Sequence, residues 1–111
     1  MKTIFPPPIL NLPRADVPVK GVTAYLSQSD AHQIIFMEFS EDTEVGEHSH
    51  QAQWAVVLHG KIDLTIGGVE GTYFRGDQYF IPEGVKHSAK IHKGYADATF
   101  FDQPDRYRAK K

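Results

Sequence analysis

The chain has 111 residues, of which 41% are hydrophobic and 23% charged, with a formal net charge of -2 and no cysteine. This is the size and balance of one globular domain able to sustain its own core, with neither a disulfide framework nor a thiolate zinc site available. The charge excludes the concentrated basic face that nucleic-acid binding needs, and no apolar run approaches the ~20 residues that span a bilayer.

The first 20 residues hold five of the seven prolines: Pro6, Pro7, Pro8, Pro13 and Pro18. Proline fixes φ and removes a backbone donor, so residues 1–20 are expected as an extended arm on a sheet edge or outside the barrel. Lys2-Thr3-Ile4-Phe5 resembles the start of a signal peptide. Pro6-Pro7-Pro8 ends it before an apolar region forms, and a cytoplasmic location is expected.

From Gly21 onward, short β-branched and aromatic runs alternate with Gly, Asp, Glu and Pro breakers. Strands are predicted at residues 21–27, 33–39, 47–50, 54–58, 61–66, 71–74, 78–81, 87–91 and 96–101. The cleanest alternation, residues 61–66, turns Ile62, Leu64 and Ile66 inward and Lys61, Asp63 and Thr65 outward. Gly67-Gly68 then reads as a hairpin turn, and His59-Gly60, Gly76-Asp77 and Glu83-Gly84 as further turns. No segment keeps a 3.6-residue period, so the domain at residues 21–104 is expected to be an all-β sandwich or barrel. Residues 105–111 read as a basic, solvated C-terminal tail.

His48-Ser49-His50 places two histidines at i and i+2, which share one face of an extended segment. His87 follows a Pro82-Glu83-Gly84 turn that could return the chain to the same place. Imidazoles converging from separate strands make a nitrogen-rich site for a divalent transition metal: Zn, Fe, Mn, Ni or Cu. Without His87 the pair reads equally well as two surface residues on a strand. His32, His59 and His92 read as solvated rather than ligating.

The two histidines stand in a frame with Gln53 and Gly60. Fifteen residues on, Gly76, Pro82, Gly84 and His87 form a G-x5-P-x-G-x2-H pattern. These two stretches resemble the paired signature motifs of the cupins, over about residues 36–101. The second motif is closely kept. The first has Asp42 where its opening Gly would fall and Gln53 where a metal-binding Glu is usual, and Ile91 stands where an Asn often closes the second. The resemblance implies a jelly-roll (double-stranded β-helix) barrel with a divalent metal in its mouth, held by His48, His50, Gln53 and His87.

Gln53 could ligate the metal, bond a metal-bound water, or orient a histidine, and ligation is the favoured reading. With neutral ligands only, a metal keeps its full charge and should attract a carboxylate, enolate or phosphate-bearing small molecule. Trp54 has the opposite parity and reads as an outer-face residue. Tyr25, Phe36, Tyr79, Phe80 and Phe101 are expected to include the pocket walls. Glu38 reads as an outward carboxylate rather than a pocket base, and Asp97 and Tyr95 are read similarly.

The function expected is a metal-dependent cupin acting on a small polar or anionic molecule by dioxygenation, isomerisation or lyase chemistry. The alternatives are a non-catalytic binding or sensing module, and a barrel whose metal only stabilises the fold. A homodimer is also expected, because residues 1–18 find no place in a compact barrel and small cupins sometimes exchange an edge strand.

Overall fold

Period-two burial sets the inner face of the strands, and the turns between them fall at glycines. The computed structural model describes residues 3–110, so Met1, Lys2 and the last residue of the tail lie outside the described residues. Its strands are β1 (Val22–Gln28), β2 (Gln33–Phe39), β3 (Thr43–His48), β4 (Gln53–His59), β5 (Lys61–Ile66), β6 (Val69–Phe74), β7 (Gln78–Ile81), β8 (His87–Ile91) and β9 (Ala96–Phe101). They form two antiparallel sheets, ordered β1-β2-β9-β4-β7 and β3-β8-β5-β6, in a jelly roll. Among the described residues no helix is long and apolar enough to cross a membrane.

Ile35, Met37 and Phe39 of β2, Ala55 and Val57 of β4, and Ile62 and Leu64 of β5 meet in the main core between the sheets. The five-stranded sheet presents its inner face as cross-strand rungs. At one end lies the rung Ile81, Gln53, Phe101 and Gln33; next come Tyr79, Ala55, Thr99 and Ile35; then Val57, Asp97 and Met37. Successive rungs are ~7 Å apart along the strands.

The arm differs from its expectation. A short helix, α1 (Pro7–Leu10), begins with prolines at its first two positions, where a missing N–H costs nothing. Phe5 is buried in edge-to-face contact with Tyr25 and Phe36, at 5.8 and 5.9 Å between ring centroids. Ile9, Leu10 and Leu12 join this cluster on the outer side of the sheet. Arg14 then bridges to Tyr25 on the edge strand, and Ala15 enters the main core. The arm thus has a place on its own barrel, because its spaced apolar side chains cover Tyr25 and Phe36.

The tail is likewise docked. The fully buried Gln33 side chain donates from Nε2 to the Tyr107 carbonyl (2.7 Å) and accepts the Tyr107 N–H at Oε1 (3.0 Å). Ala109 bridges to Ala15, so arm and tail clasp each other. Two amide bonds to one buried side chain hold a segment whose charges alone suggested a solvated end.

Candidate metal centre

β3 and β8 are antiparallel partners, with His48 opposite His87. The register shifts between Val45 and His48, so a bulge inserts one residue there. Regular alternation from the inward Val45 would turn His48 outward; the extra residue turns it in. His50 lies beyond the end of β3, so the shared strand face expected for the pair is not what unites them. Instead the His50 carbonyl accepts the Gly84 N–H at 3.0 Å, which ties its loop to the turn before His87. Gly84 has φ +75°, a conformation glycine adopts without penalty.

The three rings converge. Their centroids lie 5.2 Å (His48–His50), 4.2 Å (His48–His87) and 4.7 Å (His50–His87) apart. One ligand-capable atom from each falls within 4.8 Å of the others, so the three could hold a metal ion. Each Nδ1 faces a backbone carbonyl: Gly46 for His48 (2.8 Å), Gln51 for His50 (2.7 Å) and Val85 for His87 (2.9 Å). A carbonyl only accepts, so each Nδ1 carries the proton and each Nε2 keeps a free lone pair. The Nε2 atoms of His50 and His87 are then two acceptors 3.1 Å apart. That is an unfavourable contact unless a cation or a proton stands between them. The donor set therefore fits a metal of the imidazole-preferring kind.

Burial is the main cause that lowers the pKa of His50, to about 4, with Arg106, His87 and His48 adding to it against the Gln51 bond. Burial likewise lowers that of His87, helped by His48 and Arg106. Neutral imidazoles are the form that ligates. Gln53 stands half-buried on the inner face of β4, in the rung that contains Phe101, and Phe101 packs edge-to-face on His50 at 5.5 Å.

The cluster stands at one end of a cavity of about 620 Å³ between the sheets. Its walls include His48, His50, Gln53 and His87, with Ile62 and Leu64 opposite Ile81 and Phe101. Of the aromatics expected there, Tyr79 and Phe101 face inward. Tyr25 and Phe36 lie under the arm, and Phe80 is exposed on the outer face, because period two sends neighbouring residues to opposite faces. Trp54 faces out and its Nε1–H donates to Gln78 Oε1 at 2.8 Å. Glu38 also faces out and accepts from the Thr3 hydroxyl. His59 Nδ1 meets the Gly94 carbonyl, His32 stacks on Phe100, and His92 Nε2 bonds Asp63 Oδ2 at 2.7 Å; none belongs to the cluster.

Two groups escaped the sequence reading. Arg106, taken for tail, lines the cavity; its guanidinium packs 4.4 Å from the Tyr107 ring and its Nε is buried without a partner among the described residues. A charge-only view of a chain end offered no signal for it. Asp97 and Tyr95, read as outward, are buried in the cavity wall. The Tyr95 hydroxyl donates to Asp97 Oδ2 at 2.5 Å and lies 3.2 Å from the Tyr79 hydroxyl. Burial pushes Asp97 up to about 6, against the nearby Tyr95, Thr99 and Tyr79 hydroxyls that favour its charged form. Burial, then the Asp97 charge, raise both tyrosines. The inward parity of residues 97, 99 and 101 was the available signal. Gly60 braces this wall: at φ +70° it packs so closely that a Cβ would meet the Tyr95 Cα at 2.9 Å.

The Cupin domain family model matches residues 35–102. No curated protein is detectably similar to the chain. Among solved structures, an RmlC-like cupin from Shewanella frigidimarina is similar at 22% identity and TM-score 0.73, covering 85% of this chain and 86% of that one. KdgF from Halomonas sp. is similar at 16% identity and TM-score 0.69, covering 82% of this chain and 87% of its own. An oxalate decarboxylase variant from Bacillus subtilis is similar at 21% identity and TM-score 0.72 over 87% of this chain, but only 29% of its own. At these identities the likeness shows the fold, and the family match covers more than half of the chain. The chain belongs to the cupin family.

Proposed function

We propose that the protein binds a divalent transition metal through Nε2 of His48, His50 and His87, with the Gln53 amide oxygen as a fourth ligand. It would then act on a small polar or anionic molecule at the remaining open positions. The observation that carries this reading is the set of three Nδ1–carbonyl bonds, which leaves three lone pairs turned toward one another. When bound, the ion would supply Lewis-acid polarisation of a ligated oxygen, or an oxygen-binding centre. Isomerase, lyase and dioxygenase chemistry all draw on those properties. Among fold relatives, the oxalate decarboxylase of Bacillus subtilis has Mn(II) centres.

Charge supports the anionic ligand. Among the described residues no carboxylate belongs to the histidine cluster, Gln53 is neutral, and Arg106 brings a positive charge close to His50 and His87, while the two carboxylates of the cavity wall, Asp97 and Asp105, lie outside the cluster. The chain's own residues would therefore bind and orient an acid group, while Phe101 and the aliphatic walls exclude water from it. A non-catalytic binding or sensing role is the second reading, favoured by the lack, among the described residues, of any carboxylate within the cluster. Metal analysis of the purified protein, with calorimetric titration of oxalate and citrate, tests the proposal. Stoichiometric metal that is absent from His48→Ala, and anion binding that disappears with it, are expected. Metal content unaffected by that change would remove the assignment.

The homodimer belongs to the same proposal. It is supported by the outer face of the five-stranded sheet, where Trp54 is 41% and Phe80 58% exposed and the two are cross-strand partners. Sedimentation should give a dimer that Trp54→Ser weakens; a monomer for the unaltered chain would end this part of the reading.

A further inference from the structure

The inner end of the cavity carries polar groups that the metal proposal does not use. Asp97 is 3% exposed, yet its Oδ1 has no hydrogen-bond partner among the described residues. Such a group costs roughly 1–3 kcal/mol when left unpaired, so a fold that keeps it unpaired invites an occupant. The other Asp97 oxygen is engaged. Tyr95 donates to it, so Tyr79 must donate to Tyr95, and the hydroxyl chain runs Tyr79 to Tyr95 to Asp97. With both tyrosine protons committed, this end of the cavity offers acceptors: Asp97 Oδ1 and the Tyr79 oxygen. Among the described residues it lacks a cationic side chain, and it is walled by Met37, the β2 partner of Asp97 in the same rung.

We infer that Asp97 Oδ1, held by Tyr95 and Tyr79, is a second subsite that accepts a hydrogen bond from a hydroxyl group on the ligand. The ligand is then two-ended: an acid group beside Arg106 and the histidines, and a hydroxyl at Asp97. The inference deepens the anionic-ligand proposal and rests on it only for the acid end. Geometry bounds the length. Asp97 and Phe101 point the same way on β9, two rungs apart, or ~13 Å between Cα atoms. That span, less a hydrogen bond of about 2.8 Å at each end, is filled by a chain of several carbons. The class is a small hydroxylated acid, and specificity for the hydroxyl comes from the buried acceptor that its absence would leave unpaired.

Isothermal titration of the intact metal-loaded chain with ω-hydroxy acids, from hydroxybutanoate to hydroxyoctanoate, each against its deoxy parent, tests this directly. One chain length should show about a tenfold preference for the hydroxy acid. Asp97→Ala should lose that preference and leave the deoxy acid's affinity unchanged, and Asp97→Asn, which keeps an acceptor oxygen, should retain most of it. Equal affinity for both acids at every length would overturn the subsite and leave the anionic reading standing. The comparison in the unaltered protein needs no variant to fold. If neither acid binds, hexanediol is compared with hexanol: a preference for the diol keeps the subsite and removes the acid end, and no preference removes both.

Discussion

His50 and His87 bring their Nε2 atoms to 3.1 Å while each ring gives its Nδ1 proton to a backbone carbonyl. The protein backbone thereby commits two neutral rings to face each other through lone pairs, a contact that a cation relieves. Stripping metal with a chelator should therefore lower the melting temperature. At a free metal concentration one hundred times its Kd the stabilisation is about 2.7 kcal/mol, worth on the order of ten degrees for a chain of this size. Calorimetry with and without chelator checks it. His87→Ala should melt at the same temperature in both.

In the proposed site Gln53 is the ligand that sets the charge. Gln53→Glu should tighten metal binding by about tenfold, because a carboxylate oxygen is a stronger donor than an amide and adds an attractive charge. The same change should weaken oxalate and citrate. Parallel titrations of metal and anion read both effects, and a variant that moves neither would place Gln53 away from the metal.

Asp97 should make stability depend on pH. Its carboxyl is pushed up to about 6 from the usual 3.8, so between those values the folded protein holds a proton that the unfolded chain has released. The resulting contribution is complete below pH ~4 and is lost as pH rises through ~6, amounting to on the order of 3 kcal/mol. Asp97→Asn is neutral throughout. Relative to the unaltered protein it should gain stability between about pH 4 and pH 7, as urea midpoints across that range would show. A constant difference would mean that Asp97 titrates normally.

Phe5 anchors the arm. It is buried against Tyr25 and Phe36, and Phe5→Ala should cost about 3 kcal/mol of unfolding free energy. Removing residues 1–18 should destabilise the barrel in the same direction, since Ala15 leaves the main core with them. Denaturant unfolding measures both. An unchanged midpoint for Phe5→Ala would show that the arm does not dock on its own barrel.

Gly60 supports the inner wall through contact. A Cβ there would meet the Tyr95 backbone at 2.9 Å, and φ is +70°. Gly60→Ala should destabilise the protein by about 2 kcal/mol. It should also shift the Tyr95 ring resonances, which a substitution acting only on the turn would leave in place.

Much of this fold is legible in the sequence. All nine strands stand in the predicted order, and β2, β5, β7, β8 and β9 keep their predicted ends. Residues 62 and 64 face inward because alternation in a half-buried strand admits one register. β1, β4 and β6 differ by one or two residues, and β3 departs furthest. It was expected at residues 47–50 and runs Thr43–His48, since Glu44 and Gly46 hide an edge of low β character and the bulge breaks its parity. The docking of Arg106 could not be foreseen, because the buried Gln33, 74 residues before Tyr107 in the chain, decides where the tail lies.

By itself the sequence determined the family, the sheet content and the histidines His48, His50 and His87, because period-two burial and the Gly-Pro-Gly turns are local properties. The tertiary structure alone decided how those histidines meet. A bulge turns His48 inward, the Gly84 N–H holds the His50 loop, and three carbonyls choose the tautomers. It alone also buried Asp97 opposite an open end of the cavity and brought Arg106 back to the mouth. These are contacts between segments far apart in the chain, and burial and hydrogen-bond partners of that kind exist only once the two sheets have closed.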